Sequence, residues 1–332
     1  MTLRLGLLGA GRIGKVHAGA IAVTAGATLV AVADAVPAAA AAIAGSTGAA
    51  VRTIDEIIGS ADIDAVLITT PTDMHASLIE QAARAGKQIF CEKPIDLSVA
   101  RVRECLAVVA DMNAVLMVGF NRRFDPNFAE AQRRVVAGEI GVVEMVSITS
   151  RDPGPPPADY IPRSGGLFRD MMIHDFDMAR FLLGEEPVSV TARASVLIDP
   201  AIGAAGDVDS AAVILTTSSG KIAQIANSRR AVYGYDQRFE VHGSAGLMTA
   251  ENERVTTVEV ANADGYRREP LHPFFMTRYA QAFANEIAAF VAACAGKAPI
   301  SPTGADGLAA LLLAEAAVRS LAEGRTVNVA DV

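Results

Sequence analysis

Five short apolar runs constrain the fold most strongly, because they recur through the first 120 residues with helix-like stretches between them. Each run is rich in Val, Ile or Leu on both faces, which is typical of strands in a parallel sheet covered on both sides. Strand–helix alternation of this kind predicts a doubly wound α/β domain. The runs are Leu3–Leu8, Thr28–Ala33, Ala65–Thr69, Gln88–Cys91 and Val115–Phe120.

The pattern changes after about residue 120, where strand-like runs follow one another and helices become fewer. This predicts an α+β domain with a largely antiparallel, open sheet, closed by C-terminal helices. At roughly 100–200 residues per domain, we expect two domains, 1–120 and 121–332. The second should hold strands at Val142–Arg151, Ser189–Ile198, Ala211–Thr217, Lys221–Ser228, Arg238–His242 and Thr256–Val260, and helices at Asp170–Leu183, Thr277–Ala295 and Gly304–Glu323.

Charge and cysteine content exclude several classes of protein. The net charge is −8 and no Lys/Arg block occurs, which argues against nucleic acid and anionic membranes as partners. No apolar run reaches the 18 or so residues of a membrane span, and the N-terminus does not resemble a signal peptide. The three cysteines are far apart and form no C-x-x-C pair. We therefore expect a cytoplasmic protein without a metal site.

A glycine motif follows the first run: Gly9-Ala-Gly11-Arg-Ile-Gly14. Gly9 would permit a tight turn, Gly11 a close approach of backbone to a pyrophosphate, and Gly14 close packing of helix on strand. Asp34 ends the second run and would accept hydrogen bonds from ribose hydroxyls, while its charge would repel a 2′-phosphate. The motif predicts a Rossmann domain that binds NAD. Its contact residues would be Gly9, Gly11, Arg12, Ile13, Gly14 and Asp34, although an exposed Arg12 side chain is an equal alternative.

Four further stretches occur in an order that resembles the Gfo/Idh/MocA oxidoreductases. They are Thr70-Pro71-Thr72, Glu92-Lys93-Pro94, Gly119–Asp125 and Gly165–Asp177, the last containing Asp170-Met-Met-Ile-His174. The resemblance runs nearly the whole length and includes Ser150–Pro153, Tyr233–Asp236 and the C-terminal helices. Within the family, the chain is similar to the inositol 2-dehydrogenases.

The resemblance implies an activity, a cofactor and an assembly. The activity is hydride transfer from the C2 carbinol of myo-inositol to NAD⁺, giving 2-keto-myo-inositol (scyllo-inosose). The implied assembly is a homotetramer, with the open sheet of the second domain at the subunit contacts. The motif positions of Thr70, Pro71, Thr72, Glu92 and Lys93 imply further cofactor contacts.

Three residues are candidates for catalysis. His174 suits a general base because imidazole titrates near working pH, and Asp170, four residues earlier, would share a helix face with it. From the residues alone, an exposed Asp–His pair at a helix start fits equally well; the resemblance favours the catalytic reading. Lys93 lies at the end of a parallel strand, where ligands of such sheets bind, and could stabilise an alkoxide.

Other residues receive second rank or no role. The hydroxyls of the substrate ring would bind to Lys93, Asp170 and His174. Further candidates for this binding, which could equally be structural, are Asn121, Arg122, Asp152, Asp177 and Tyr235. His17 is expected on a helix and His75 near the nicotinamide, without assigned roles. Two alternatives stay open: a dehydrogenase of another inositol isomer or an aldohexose, and, more remotely, a non-catalytic dinucleotide sensor.

Overall fold

The structure is a computed structural model that describes residues 2–157 and 160–332. The chain forms two compact units. The first comprises Met1–Asp125 with Ala280–Leu311, and the second Pro126–Tyr279 with Leu312–Val332. The functional division at residue 120 stays a prediction.

A six-stranded sheet forms the centre of the first unit, and all its strand pairs are parallel. The strand order is β3-β2-β1-β4-β5-β6, so the direction of winding reverses between β1 and β4. This confirms the predicted doubly wound sheet, whose ligands bind at the carboxyl ends of the strands beside that reversal. The strands are β1 (Leu3–Leu8), β2 (Ala27–Ala33), β3 (Ala50–Val51), β4 (Ala65–Ile68), β5 (Gln88–Glu92) and β6 (Leu116–Gly119).

Helices connect these strands and bury apolar faces. Within β4 every residue is buried, because both faces of the sheet are covered. Local signals define some helix starts: Thr53 and Glu56 form a capping box, and the Ser98 hydroxyl accepts from Arg101 N. The helices are α1 (Arg12–Val23), α2 (Pro37–Thr47), α3 (Ile54–Gly59), α4 (His75–Arg84) and α5 (Val99–Asp111), with 3₁₀ turns at Thr72–Met74 and Asn121–Phe124.

The second unit contains the predicted, largely antiparallel sheet. Its strand order is β12-β11-β7-β10-β9-β8-β15, and only β7 and β10 run parallel. The strands are β7 (Val143–Arg151), β8 (Pro187–Ser195), β9 (Ser210–Thr217), β10 (Ile222–Ser228), β11 (Asp236–Gly243), β12 (Gly246–Ala250) and β15 (Val327–Asn328), with a separate hairpin of β13 (Glu259–Asn262) and β14 (Gly265–Arg268).

Alternating side chains give this sheet one buried and one more exposed face. In β9, Val213 and Leu215 are buried, whereas Ile214 between them is 50 % exposed. Helix α9 packs on the sheet at β7 and β10. The remaining helices of the chain are α6 (Pro126–Val136), α7 (Ile161–Ser164), α8 (Gly166–Asp170), α9 (Ile173–Leu183), α10 (Pro200–Ala204), α11 (Phe275–Arg278), α12 (Ala280–Cys294) and α13 (Gly304–Glu323).

Several predicted boundaries were wrong, and two of them show why. The strand expected at Thr256–Val260 lies instead at Glu259–Asn262, where all four residues are exposed. Without a buried face, the apolar pattern does not fix the register of a strand. The helix expected at Thr277–Ala295 is divided at Tyr279, whose ψ of 19° leaves the helical range. Among the described residues, no helix is both long and apolar enough to span a bilayer.

A buried carboxylate on α12 predicts how stability depends on pH. Glu286 is 0 % exposed, and neither of its carboxylate oxygens has a hydrogen-bond partner among the described residues. Burial, followed by the charge of Glu92, raises the pKa of Glu286 well above its ordinary value of 4.5. The folded state therefore holds this proton more tightly than the unfolded state does. The contribution of this proton to the stability of the fold is complete below pH 4.5, and it is lost as the pH rises through the folded-state pKa of Glu286.

We expect Glu286→Gln to remove this dependence. The stability of the variant relative to wild type should increase by about 1.4 kcal/mol per pH unit between the unfolded and folded pKa values. The unpaired amide adds a cost that does not change with pH. Urea unfolding between pH 4.5 and 9 measures the difference, with the exposed Glu104→Gln as control. Parallel stability profiles for wild type and Glu286→Gln would show that the proton is not held in this way.

Candidate functional site

The glycine turn between β1 and α1 has the geometry that its sequence predicts. Gly9 has a φ of +105°, and a Cβ there would lie 2.6 Å from the carbonyl carbon of Thr69. A Cβ on Gly14 would lie 2.2 Å from the Gly9 carbonyl oxygen. Both positions therefore require glycine, the first for its conformation and close approach, the second for packing of helix on strand.

Gly11 differs from the other two glycines, because a Cβ there would meet no atom within 4 Å. Gly11 is also the N-cap of α1, where backbone N–H groups and the helix dipole favour an anion. The open space at Gly11 therefore fits a pyrophosphate that approaches the backbone. Arg12, the first residue of α1, is exposed and Ile13 is half-buried.

Asp34 follows β2 and is oriented by two backbone groups. Ala10 N donates to Oδ2 at 2.6 Å, and Val36 N donates to Oδ1 at 2.7 Å. The carboxylate is thus fixed beside the glycine turn and is half-buried. Each oxygen retains acceptor capacity, so the arrangement suits the paired hydroxyls of a ribose.

The other predicted residues of this unit follow the carboxyl ends of β4, β5 and β6. Thr70–Thr72 follows β4, where Thr69 Oγ1 donates to the Gly9 carbonyl at 2.8 Å. Glu92 ends β5 and the half-buried Lys93 comes directly after it. Asn121 and Arg122 follow β6 and are each 5 % exposed. The fold thus brings these predicted residues to one edge of the parallel sheet.

Two buried histidines at this edge make contacts that the sequence did not predict. His17 on α1 is 0 % exposed, and its Nε2 lies 2.6 Å from Oε1 of Glu92. The ring also packs edge-on against Phe90 and Phe283. His75, at the start of α4, contacts two loop carbonyls. A histidine within an apolar helical stretch is a signal for such contacts, but its partners are distant in sequence.

Asp170 and His174 lie in the second unit, on successive helices rather than on one. Asp170 ends α8, and His174 is in the first turn of α9. Met172 N donates to the Leu167 carbonyl, five residues back, so the turn between the helices holds an extra residue. The expectation that both residues lie on one uninterrupted helix was therefore wrong. Both residues are half-buried, and Tyr160 Oη donates to Asp170 Oδ1 at 3.2 Å.

The second-rank candidates of this unit occupy different settings. Asp177 on α9 is 1 % exposed and lies 3.4 Å from Arg180 Nη1. Asp152 follows β7, and its N donates to the Ser228 carbonyl. Tyr235 is 5 % exposed, with its ring against Phe274 and Tyr279. Met171, Met172 and Met178 are all buried.

Two motif stretches of this unit meet in a polar cluster. Arg151 Nη1 donates to Tyr233 Oη at 2.7 Å and to Asp236 Oδ2 at 3.2 Å. Tyr233 Oη donates in turn to Asp236 Oδ2 at 2.6 Å, while burial followed by this carboxylate raises the pKa of Tyr233. The cluster joins β7 to β11 beside Asp152 and Tyr235, and so fixes the backbone at both candidate positions.

Two family models match the chain. An oxidoreductase family model with an NAD-binding Rossmann fold covers residues 3–120. The GFO/IDH/MocA C-terminal domain model covers residues 128–249. The first match assigns NAD to the domain whose glycine turn and Asp34 are described above.

Relatives match over nearly the whole length. An inositol 2-dehydrogenase of Rhizobium meliloti is 68 % identical and aligns over 99 % of this chain and 100 % of its own. The crystal structure of a myo-inositol dehydrogenase from Corynebacterium glutamicum has a TM-score of 0.95 at 44 % identity, covering 99 % of each chain.

A third relative includes its ligands. The structure of scyllo-inositol dehydrogenase from Lactobacillus casei with bound NAD(H) and scyllo-inositol has a TM-score of 0.92 at 33 % identity, over 99 % of this chain and 100 % of that one. The predicted resemblance is confirmed by both family models and by these full-length similarities. The chain belongs to the Gfo/Idh/MocA family of NAD-binding oxidoreductases.

Proposed function

We propose that this oxidoreductase removes a hydride from the C2 carbinol of myo-inositol, with NAD⁺ as acceptor, and forms 2-keto-myo-inositol (scyllo-inosose). The observation that carries the proposal is the 68 % identity to the Rhizobium meliloti inositol 2-dehydrogenase over 99 % of this chain. The match spans both units, so it includes the cofactor residues and Lys93 of one and Asp170 and His174 of the other.

The cofactor residues divide into two groups. Gly9, Gly11 and Gly14 would admit the pyrophosphate to the N-terminus of α1, with Arg12 and Ile13 beside it, and Asp34 would bind the ribose. The Thr70–Thr72 loop and Glu92–Lys93 would line the nicotinamide end. NAD⁺, when bound, supplies the hydride acceptor.

Oxidation of the alcohol breaks the C2–H bond with its electron pair and also releases the hydroxyl proton. We assign that proton to His174, because an imidazole can accept it near neutral pH. The Asp170 carboxylate would stabilise the imidazolium that forms. Lys93 would donate a hydrogen bond to the reacting oxygen and favour the alkoxide. Asn121, Arg122, Asp152, Asp177 and Tyr235 are the proposed contacts to the other ring hydroxyls.

The main alternative substrate is another inositol isomer, since one structural relative is a scyllo-inositol dehydrogenase. Oxidation of myo-inositol at C2 and of scyllo-inositol gives the same ketone, but hydrogen and hydroxyl exchange faces at the reacting carbon. A site that holds the base and the hydride acceptor in fixed positions can therefore oxidise one of the two isomers much faster than the other.

A substrate panel tests this assignment. We expect NADH formation with myo-inositol at a kcat/KM about tenfold or more above those for scyllo-inositol, D-chiro-inositol and D-glucose. A higher kcat/KM for another member would reassign the substrate. Tight NAD⁺ binding without NADH formation from any polyol would instead support a nucleotide sensor.

Asp34 predicts the choice between the two dinucleotides. A 2′-phosphate beside this carboxylate would cost several kcal/mol, so kcat/KM with NADP⁺ should be about 10²-fold or more below that with NAD⁺. Asp34→Ala should lower kcat/KM for NAD⁺, because it removes the acceptor for the ribose hydroxyls. It should also reduce the ratio of kcat/KM with NAD⁺ to kcat/KM with NADP⁺, because it removes the charge that repels a 2′-phosphate. The exposed Asp55→Ala serves as control. Equal use of NADP⁺ by wild type would remove Asp34 from the ribose site.

We also propose a cytoplasmic homotetramer. The family resemblance supports the assembly through the more exposed face of the second unit's sheet, and the cysteine content suits a reducing compartment. A tetrameric mass in light scattering at micromolar concentration is expected, and a monomeric mass would contradict the assembly. Cell fractionation tests the location.

A further inference from the structure

His75 bridges the two loops that follow β4 and β5. Its Nδ1 lies 2.8 Å from the Pro94 carbonyl oxygen, and its Nε2 lies 2.8 Å from the Thr70 carbonyl oxygen. The residue is 2 % exposed, so water does not replace either contact freely. Both distances are those of well-formed hydrogen bonds.

The chemistry of the two partners determines what the ring must supply. A backbone carbonyl only accepts, whereas a neutral imidazole carries one N–H donor and one lone pair. In either neutral form, one ring lone pair would face a carbonyl oxygen at 2.8 Å, and that acceptor would lose its donor. Only the doubly protonated ring donates to both carbonyls.

This bridge lies where the sheet no longer joins the two loops. The paired register of β4 and β5 ends at Ile68 and Cys91. Thr70 and Pro94 lie beyond that pair, and Pro94 is bonded directly to Lys93. Thr69 Oγ1 already links the first loop to the glycine turn through its hydrogen bond to the Gly9 carbonyl. His75 thus completes a continuous connection from the glycine turn to the backbone at Lys93.

We propose that His75 is a doubly protonated positioning residue, which donates to the Thr70 and Pro94 carbonyls. It thereby fixes the backbone at Lys93 relative to the Thr70–Thr72 loop. The positioning role rests on the proposed function of Lys93. The protonated bridge itself can be measured without turnover.

The first test observes the bridge in the wild-type protein. In ¹⁵N-labelled protein at pH 7, we expect two protected ring N–H resonances from His75, which are absent from the spectrum of His75→Phe. The chain has five histidines, so comparison with this variant and with His242→Gln assigns the signals. His242 is a suitable control because its side chain is 56 % exposed. A single ring N–H from His75 would overturn the proposal.

The second test separates positioning from folding. Displacing a reacting group by about 1 Å can cost 10²-fold, so His75→Phe should lower kcat for inositol oxidation by about 10–100-fold. His75→Gln keeps donors at one nitrogen and should lose less. NAD⁺ affinity, measured by calorimetry, should stay within about threefold, because the glycine turn and Asp34 remain. His242→Gln should retain wild-type kcat.

The two readouts distinguish failure of this inference from failure of the proposed function. If myo-inositol is not oxidised while two His75 N–H signals are present, the bridge stands and the substrate assignment fails. If His75→Phe is folded by circular dichroism and keeps kcat within twofold of wild type, the positioning role is overturned. If His75→Phe does not fold, His75→Gln and the wild-type spectrum decide.

Discussion

His174→Ala should lower kcat for inositol oxidation by about 10²–10⁴-fold, the usual scale for loss of a general base. The hydroxyl proton would then have no positioned acceptor. NAD⁺ affinity should remain near that of wild type, because the cofactor residues belong to the other compact unit. Steady-state kinetics and calorimetry measure the two effects separately. His272→Ala, a half-buried histidine outside the proposed site, is the control.

The partner of His174 gives a stricter form of the same prediction. Asp170→Asn keeps the size and hydrogen-bonding capacity of the side chain but removes the charge that would stabilise the imidazolium. It should lower kcat, and the double variant should be little slower than His174→Ala because the two residues act as a unit. Near-normal kcat and an unchanged pH profile in His174→Ala would make the pair structural, and Lys93 would become the leading proton acceptor.

Lys93→Met should reduce kcat by about 10²–10³-fold, as expected when a donor to a developing oxyanion is removed. Methionine retains much of the apolar stem, so the change acts mainly on the charge. We expect kcat to rise with pH because the hydroxyl must lose its proton, and in Lys93→Met this rise should move to higher pH because the cation that favours the alkoxide is gone. The exposed Lys297→Met should leave both quantities unchanged. A Lys93→Met enzyme with the wild-type pH profile would exclude this role.

Five of the six strands of the parallel sheet could be predicted well from sequence because they are largely buried, whereas the two-residue β3 is exposed and was not predicted. The run Leu3–Leu8 coincides with β1, and the other four runs differ from their strands by no more than one residue at either end. Glycine positions were equally informative, since the conformation of Gly9 and the close contact of Gly14 admit no other side chain. These features depend on local pattern and backbone sterics alone.

Features that depend on distant partners could not be predicted in this way. Helical periodicity indicates α12 but not that Ala280–Leu311 joins the first unit. The contacts of His17, His75 and Glu286 likewise arise only when separate segments fold together. The extra residue in the turn after Asp170 is invisible to an i, i+4 argument, because that argument assumes an uninterrupted helix.

The transfer of deuterium tests the central claim most directly. With myo-inositol that carries deuterium at C2, the reduced cofactor formed from NAD⁺ should contain one deuterium per molecule by mass spectrometry. The other product should be 2-keto-myo-inositol that contains no deuterium. Unlabelled substrate supplies the reference mass. Reduced cofactor without deuterium would place the oxidation at another carbon, and absence of reduced cofactor would contradict the proposed reaction itself.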